Sequence, residues 1–320
     1  MTNKSWIFLK PGDIVDIIAP SSSVPTDNLL EYYKSAEKIL AKFDLIARIP
    51  SDLINLDKDL FSANSLEYRS KHLISALNDP NSKAIWAIRG GYGAAKIIPH
   101  LEKITPPTQP KLLLGFSDIT ALHLFLQNNW HWNSIHSPVI NQIITNESLF
   151  TKLEPIIFGK EIKVIYNNLQ PLNEAAKKNQ EIIAEITGGN LSIVQTSLAT
   201  SWQINGDNKI IFLEDIGEKG YQIDRMLNHL LQAGVFAKAK AIIFGEITPG
   251  FETDGRDLCF KAIENFASSL EIPALSLPII GHNAKNNSPL PLGSTCILNI
   301  NDNISLSCNS GGAFKEEYTC

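Results

Sequence analysis

Lys111-Leu112-Leu113-Leu114-Gly115-Phe116-Ser117-Asp118-Ile119-Thr120 is an apolar run that stops at a glycine and restarts as another kind of element. Lys111–Leu114 is short and uninterrupted, which reads as a buried strand. Leu122, Phe125 and Leu126 follow at three- and four-residue steps, so a helix begins at once after the turn. A strand that is apolar on both sides needs cover on both sides, as in a parallel sheet flanked by helices. Working outward, Ile14-Val15-Asp16-Ile17-Ile18-Ala19 and Ala84-Ile85-Trp86-Ala87-Ile88 repeat the pattern. Between them Leu29, Tyr32, Tyr33, Ala36, Ile39, Leu40 and Phe43 mark one face of an amphipathic helix. Strand–turn–helix alternation predicts an α/β fold with a parallel sheet, and in such sheets ligands gather beyond the carboxyl ends of the strands.

Residues 166–180 are polar and follow neither period, and are expected to be a linker. They divide the chain into an N-terminal α/β domain, 1–165, and a smaller, mixed, β-rich C-terminal domain, 181–320. In the second half, Gly188-Gly189 reads as a break, and Lys209–Leu213 and Ala241–Phe244 as strands. Ile223, Met226, Leu227, Leu230 and Leu231 share a helix face that Gly234 ends. A further helix is expected near 257–270, and short strands near Ile272, Cys296 and Ile304.

The 320 residues carry 28 basic and 33 acidic side chains, a net charge of −5 with no surplus to neutralise a nucleic-acid backbone. Hydrophobic residues make up 44%, enough for a folded core in each domain. The apolar run Trp6–Leu9 ends at Lys10-Pro11-Gly12-Asp13, short of a leader segment, and no stretch reaches the ~20 apolar residues of a membrane helix. A soluble, cytoplasmic protein is expected. Cys259, Cys296, Cys308 and Cys320 lack C-x-x-C spacing and are expected to be separate thiols, with neither a zinc site nor a disulfide.

Three motifs bear on chemistry. Gly115-Phe116-Ser117 would lift a serine hydroxyl off the sheet and set it at a helix N-terminus, where free N–H groups favour a developing oxyanion. A plain N-cap is the competing reading of Ser117, and on the motif alone it weighs more. Arg89-Gly90-Gly91-Tyr92-Gly93, after the preceding strand, can turn sharply and aim N–H groups into the same space. It matches neither dinucleotide nor nucleotide phosphate loops. Leu213-Glu214-Asp215-Ile216-Gly217-Glu218 puts carboxylates at a strand end. Glu214 abuts the strand and is the functional candidate, whereas Asp215 and Glu218 read as solvated, helix-capping acids. Of seven histidines, His282 ends the apolar run Pro278-Ile279-Ile280-Gly281 and is best placed for a cleft; His72 and His229 fall within helical patterns. No H-E-x-x-H spacing suggests a metal site.

In order, these segments resemble the LD-carboxypeptidase family, serine peptidases that trim muropeptides in the cytoplasm. The resemblance runs from Lys10-Pro11-Gly12-Asp13-Ile14 and Ile18-Ala19-Pro20-Ser21-Ser22 through the Arg89–Gly93 and Leu114–Thr120 motifs. Gly188-Gly189-Asn190-Leu191, Leu213–Glu218 with Tyr221-Gln222-Ile223-Asp224-Arg225-Met226-Leu227, and Gly281-His282 complete it. It implies Ser117 as nucleophile, His282 as base and Glu214 as its orienting carboxylate, with backbone N–H groups of Gly91 and Asp118 as the oxyanion hole. It also implies a muropeptide tetrapeptide substrate losing its terminal D-alanine, no cofactor or metal, and a homodimer. Arg89 and Arg225 are candidates for the substrate carboxylate, against structural ion pairing. Two other readings remain at this point. A related branch hydrolyses microcin C-type peptidyl nucleotides and would need an aromatic face for adenine, for which Trp202 is the tryptophan in the second half. A non-catalytic muropeptide-binding protein would keep the cleft without turnover.

Overall fold

The computed structural model describes residues 4–25, 28–283 and 285–313. The first half supplies five strands of a six-stranded sheet: β1 (Ile14–Ile18), β2 (Ile46–Arg48), β3 (Ser82–Ala87), β4 (Leu112–Gly115) and β5 (Ser134–His136), in the spatial order 2-1-3-4-5 and parallel to one another. The sixth strand comes from the second half and pairs antiparallel with β5. Helix α1 (Leu29–Ala41) joins β1 to β2, and α2 (Leu66–Asn78) joins β2 to β3. After β4 come a 3-10 turn, Ser117–Ile119, and helix α3 (Thr120–Phe125); α4 (Ile140–Thr145) and α5 (Ser148–Ile157) follow β5. Along β4, Leu112 and Leu114 pack into one apolar cluster and Leu113 into another. Each is fully buried, worth roughly 1.5–3 kcal/mol over exposure.

The second half adds β6 (Lys163–Asn167), β7 (Gln170–Pro171), β8 (Gln180–Asn190), α6 (Leu191–Thr196), β9 (Ile210–Ile216), α7 (Gly220–Gln232), β10 (Ala241–Thr248), α8 (Cys259–Ser268) and β11 (Ala274–Ser276). Strands β12 (Leu290–Leu292), β13 (Thr295–Ile300) and β14 (Ser305–Asn309) close it. The eight-stranded sheet runs 6-14-13-8-9-10-11-7, parallel from β8 to β11 and antiparallel at both ends. This is the α/β architecture expected, with a parallel first sheet and a mixed, β-rich second one. Among the described residues no helix is long and apolar enough to cross a membrane.

Several local expectations change. The stretch 166–180 is ordered: Tyr166 pairs with Leu306 and Pro171 with Leu275. Asn167 and Gln170 lie on edge strands, Glu174–Lys177 form a 3-10 turn and Gln180 opens β8, and the short polar edge strands read by period alone as a connector. Strand β12 also crosses back to pair with β5, so the two sheets share chain as well as core. One apolar cluster runs unbroken from Leu113, Phe116 and Leu122 to Leu191, Leu213 and Leu227. Cys296 and Cys308 are not separate thiols. They face each other across β13 and β14, 4.1 Å apart at Cα, and form a disulfide. Cys259 is free and buried; Cys320 lies outside the described residues.

Gly188 and Gly189 do not break an element; they lie inside β8, opposite Phe212 and Leu213. Both have positive φ (122° and 140°), and a Cβ on Gly188 would overlap the Phe212 carbonyl. A Cβ on Gly189 would sit 2.8 Å from Thr120 Cγ2, against the helix that follows Ser117. Gly217 shares the positive φ (81°) but has open space around its Cα. Gly189→Ala is therefore expected to lose about 3 kcal/mol in urea unfolding, and Gly217→Ala only about 1 kcal/mol.

Candidate active site

The nucleophile candidate sits on a strained turn. Ser117 has φ 62°, a left-handed conformation uncommon outside glycine. The helical turn starting there has Phe116 at its N-cap position and no side-chain cap, so the capping role weighed for Ser117 is not filled. Ser117 is only partly buried. Gly90 faces it so closely that a Cβ there would lie 3.0 Å from Ser117 Cβ. Gly91 follows with φ 113°, and its N–H has no acceptor among the described residues. Asp118 is in the first turn of its helix, where N–H groups lack an intrahelical acceptor. Its side chain is buried and accepts from Ser21 Oγ at 2.5 Å and Ala94 N at 2.8 Å.

Strand β9 and the loop between β11 and β12 deliver the other two candidates. Glu214 lies near the end of β9, whose buried run continues through Asp215, and is itself fully buried. His282 Nδ1 lies 2.7 Å from Glu214 Oε2, although 68 residues separate them. Phe116, next to Ser117, packs on the His282 ring with centroids 4.7 Å apart. No hydrogen bond joins Ser117 Oγ to His282 in this structure. Burial pulls the His282 pKa down, but the charge and hydrogen bond of Glu214 outweigh it and hold the imidazole above its ordinary value. Burial raises the Glu214 carboxyl, so the pair is built to keep one proton between its partners.

The remaining candidates have structural partners. Asp215 is not the solvated acid expected. It is buried and accepts from Asn190 Nδ2 (3.0 Å), Ser192 N (2.8 Å), Ser192 Oγ (2.7 Å) and Ile216 N (2.8 Å). Asn190 meanwhile caps α6 through Ile193 N. Glu218 is half-buried before α7. His123 is locked between Ser134 Oγ and Gly115 O, and burial holds its pKa down at about 4. His72 pairs with Asp52, and His229 with Gln195. Arg89 donates to Ser23 O at 2.6 Å, and Arg225 lies over the Tyr221 ring; neither forms an ion pair among the described residues. Trp202 is buried in the apolar cluster.

Two site residues carry no signal readable from sequence. Glu246, at the end of β10, accepts from Asn283 N at 2.7 Å, and its backbone N–H donates to Ile280 O, gripping both flanks of His282. Asn287 is fully buried, accepts from Gly281 N and donates to Gln142 in the first half. Periodicity shows neither, because both act on the backbone of a loop whose path comes from tertiary contacts.

Residues 15–137 match the description LD-carboxypeptidase N-terminal domain, and residues 183–298 match LD-carboxypeptidase C-terminal domain. A relative in Rickettsia conorii, named as a carboxypeptidase, is 44% identical over 235 residues, 72% of each chain. One in Bacillus subtilis, named as a murein peptide carboxypeptidase, is 30% identical across 91% of this chain and 90% of its own. The murein tetrapeptide carboxypeptidase of Pseudomonas aeruginosa is 25% identical across 89% and 92%. Among solved structures, a muramoyltetrapeptide carboxypeptidase from Oxalobacter formigenes superposes with a TM-score of 0.74 at 24% identity, covering 94% of this chain and 99% of its own. An MccF-like protein from Bacillus anthracis reaches 0.79 at 21%, covering 95% and 98%, which shows a shared fold.

The Glu214–His282 pair sets a pH expectation. The charge of Glu214 favours imidazolium, so His282 should titrate above 6.5 when followed by NMR. In Glu214→Gln the largest opposing contribution is lost, leaving burial against only the charges of Asp215 and Glu246, and the same resonance should titrate lower than in the wild type. An unchanged titration in the variant would show that Glu214 does not control His282.

Proposed function

Because this chain belongs to the LD-carboxypeptidase family, we propose that it is a muramoyl-tetrapeptide L,D-carboxypeptidase. In this reading it removes the terminal D-alanine from muropeptide tetrapeptides by a Ser117–His282–Glu214 mechanism. The observation that carries the proposal is the Glu214–His282 pair, brought from the second half of the chain and packed against the residue that precedes Ser117. Relatives named for murein peptides support the substrate class.

Glu214 holds the tautomer with the proton on Nδ1, leaving the Nε2 lone pair for the Ser117 hydroxyl. The Ser117–His282 hydrogen bond forms when substrate enters; such bonds are often long in unliganded enzymes. Ser117 Oγ adds to the scissile carbonyl carbon as its proton passes to His282. The carbonyl oxygen becomes an oxyanion facing the N–H groups of Gly91 and Asp118, each worth about 3–4 kcal/mol in comparable sites. The C–N bond then breaks, and His282 returns the proton to the departing D-alanine amine. Water adds to the acyl-serine with His282 again as base, and the shortened peptide leaves with a free carboxylate. No step calls on a metal or cofactor.

The immunity-peptidase reading is not favoured, since buried Trp202 offers no face to an adenine ring. The non-catalytic reading would leave the Glu214–His282 pair without a task. A cytoplasmic location and a homodimer belong to the same proposal, to be checked by cell fractionation and by light scattering of the purified protein.

The decisive assay is mass spectrometry after incubation with L-Ala-γ-D-Glu-meso-diaminopimelyl-D-Ala in EDTA. The wild type should release one alanine, and Ser117→Ala should be slower by at least about 10³-fold. An intact tetrapeptide with wild-type protein would overturn the substrate assignment, and unchanged turnover in Ser117→Ala would overturn the mechanism.

A further inference from the structure

The buried charges closest to Ser117 in sequence and turn are unused by the mechanism above. Asp118, only 3% exposed, and Arg69 of α2, 1% exposed, lie on either side of the glycine-rich turn. Arg69 forms no ion pair among the described residues. It gives Nη1 to Pro20 O (2.5 Å) and Gly93 O (2.9 Å), and Nε to Asn64 O (2.9 Å). Asp118 Oδ2 accepts from Ala94 N (2.8 Å) and Ser21 Oγ (2.5 Å). Gly93 C=O and Ala94 N–H are the two ends of a single peptide plane. A cation grips its oxygen and a carboxylate grips its nitrogen. The same two side chains also hold Pro20 and Ser21, at the end of β1.

Burying a cation and a carboxylate is costly unless their hydrogen bonds hold something that needs holding. The turn they anchor carries Gly91, whose N–H is free, and that turn is otherwise tied by Ser22 Oγ accepting from Tyr92 N and Ser22 N donating to Gly90 O. Asp118 also carries the second free N–H. Its side chain therefore locks the Gly91 turn to its own backbone.

We propose that the Asp118 carboxylate, with Arg69, is a positioning device that keeps the Gly91 and Asp118 N–H groups convergent on one oxyanion. The inference rests on the serine-hydrolase reading of this site. It predicts a loss confined to transition-state stabilisation. Asp118→Ala should lower kcat about 10- to 100-fold with KM within threefold. Affinity for a peptidyl boronate should fall in parallel. Asp118→Asn keeps an acceptor for both donors and should recover most of the activity, while Ser21→Ala, which removes one donor, should lose about 3- to 10-fold. The rate of Ser117 labelling by a fluorophosphonate is measured alongside, because it needs the serine and its oxyanion hole but not the tetrapeptide.

If wild type labels but leaves the tetrapeptide intact, the substrate assignment fails and the labelling rates still decide this proposal. Folded Asp118→Ala and Ser21→Ala proteins that label and turn over within twofold of wild type would overturn it. So would an Asp118→Asn variant as impaired as Asp118→Ala, or a loss carried entirely by KM. Should Asp118→Ala fail to fold, Ser21→Ala and Asp118→Asn carry the test.

Discussion

Thr120 is where the two halves of this protein meet with least room to spare. Its side chain fills the space left by Gly189, and its hydroxyl accepts from Asn190 N at 3.0 Å. Thr120 opens the helix that follows Ser117, while Gly189 and Asn190 end the strand beside β9, which carries Glu214. One close approach thus ties the turn that carries Ser117 to the strand next to Glu214. Any larger side chain at Gly189 would wedge the sheets apart. The continuous apolar cluster from Leu113 to Leu227 then makes this seat a matter of core packing, which tolerates little displacement.

Near that seat the two sheets carry buried carboxylates that apolar strands would not ordinarily accept. Each is matched to a different partner. Glu214 has His282, Asp215 has the capped start of α6, and Asp118 has Ser21 and Ala94. Three buried acids therefore have three different sets of partners, decided by which donors reach them. His136 shows the opposite case. Buried between Phe116 and Phe212, it is held far below its ordinary pKa by burial, so it stays neutral behind the His282 ring. A second imidazolium there would oppose a charge on His282.

Much of this was legible in the chain. Leu112–Leu114, Ile14–Ile18 and Ile210–Leu213 are apolar on both faces, and only a covered parallel sheet satisfies such runs, so the α/β class followed from pattern. The glycines and serine after β3 and β4 also pointed to a common edge, because parallel strands place their carboxyl ends together. Polar edge strands were not legible. The stretch 166–180 is polar with no strong period, and reads as a linker until the register of Tyr166 with Leu306 and of Pro171 with Leu275 is seen. Gly188 and Gly189 misled for a related reason. Glycine marks a break in isolation, yet here it marks two backbones passing too closely for a Cβ. Cys296 and Cys308 could not be paired from spacing, since their partnership depends on strand register.

By itself, then, the sequence determined the strand–turn–helix units, the residue types at their ends and the family resemblance that ordered them. These are local properties, set by the period of apolar side chains and by backbone freedom at glycine. Only the tertiary structure decided that Glu214 meets His282 across 68 residues, that Asp215 caps a helix, and that Asp118 and Arg69 hold one peptide plane between them. Such meetings depend on how two sheets are seated on a shared core, and no stretch of chain encodes that seat alone.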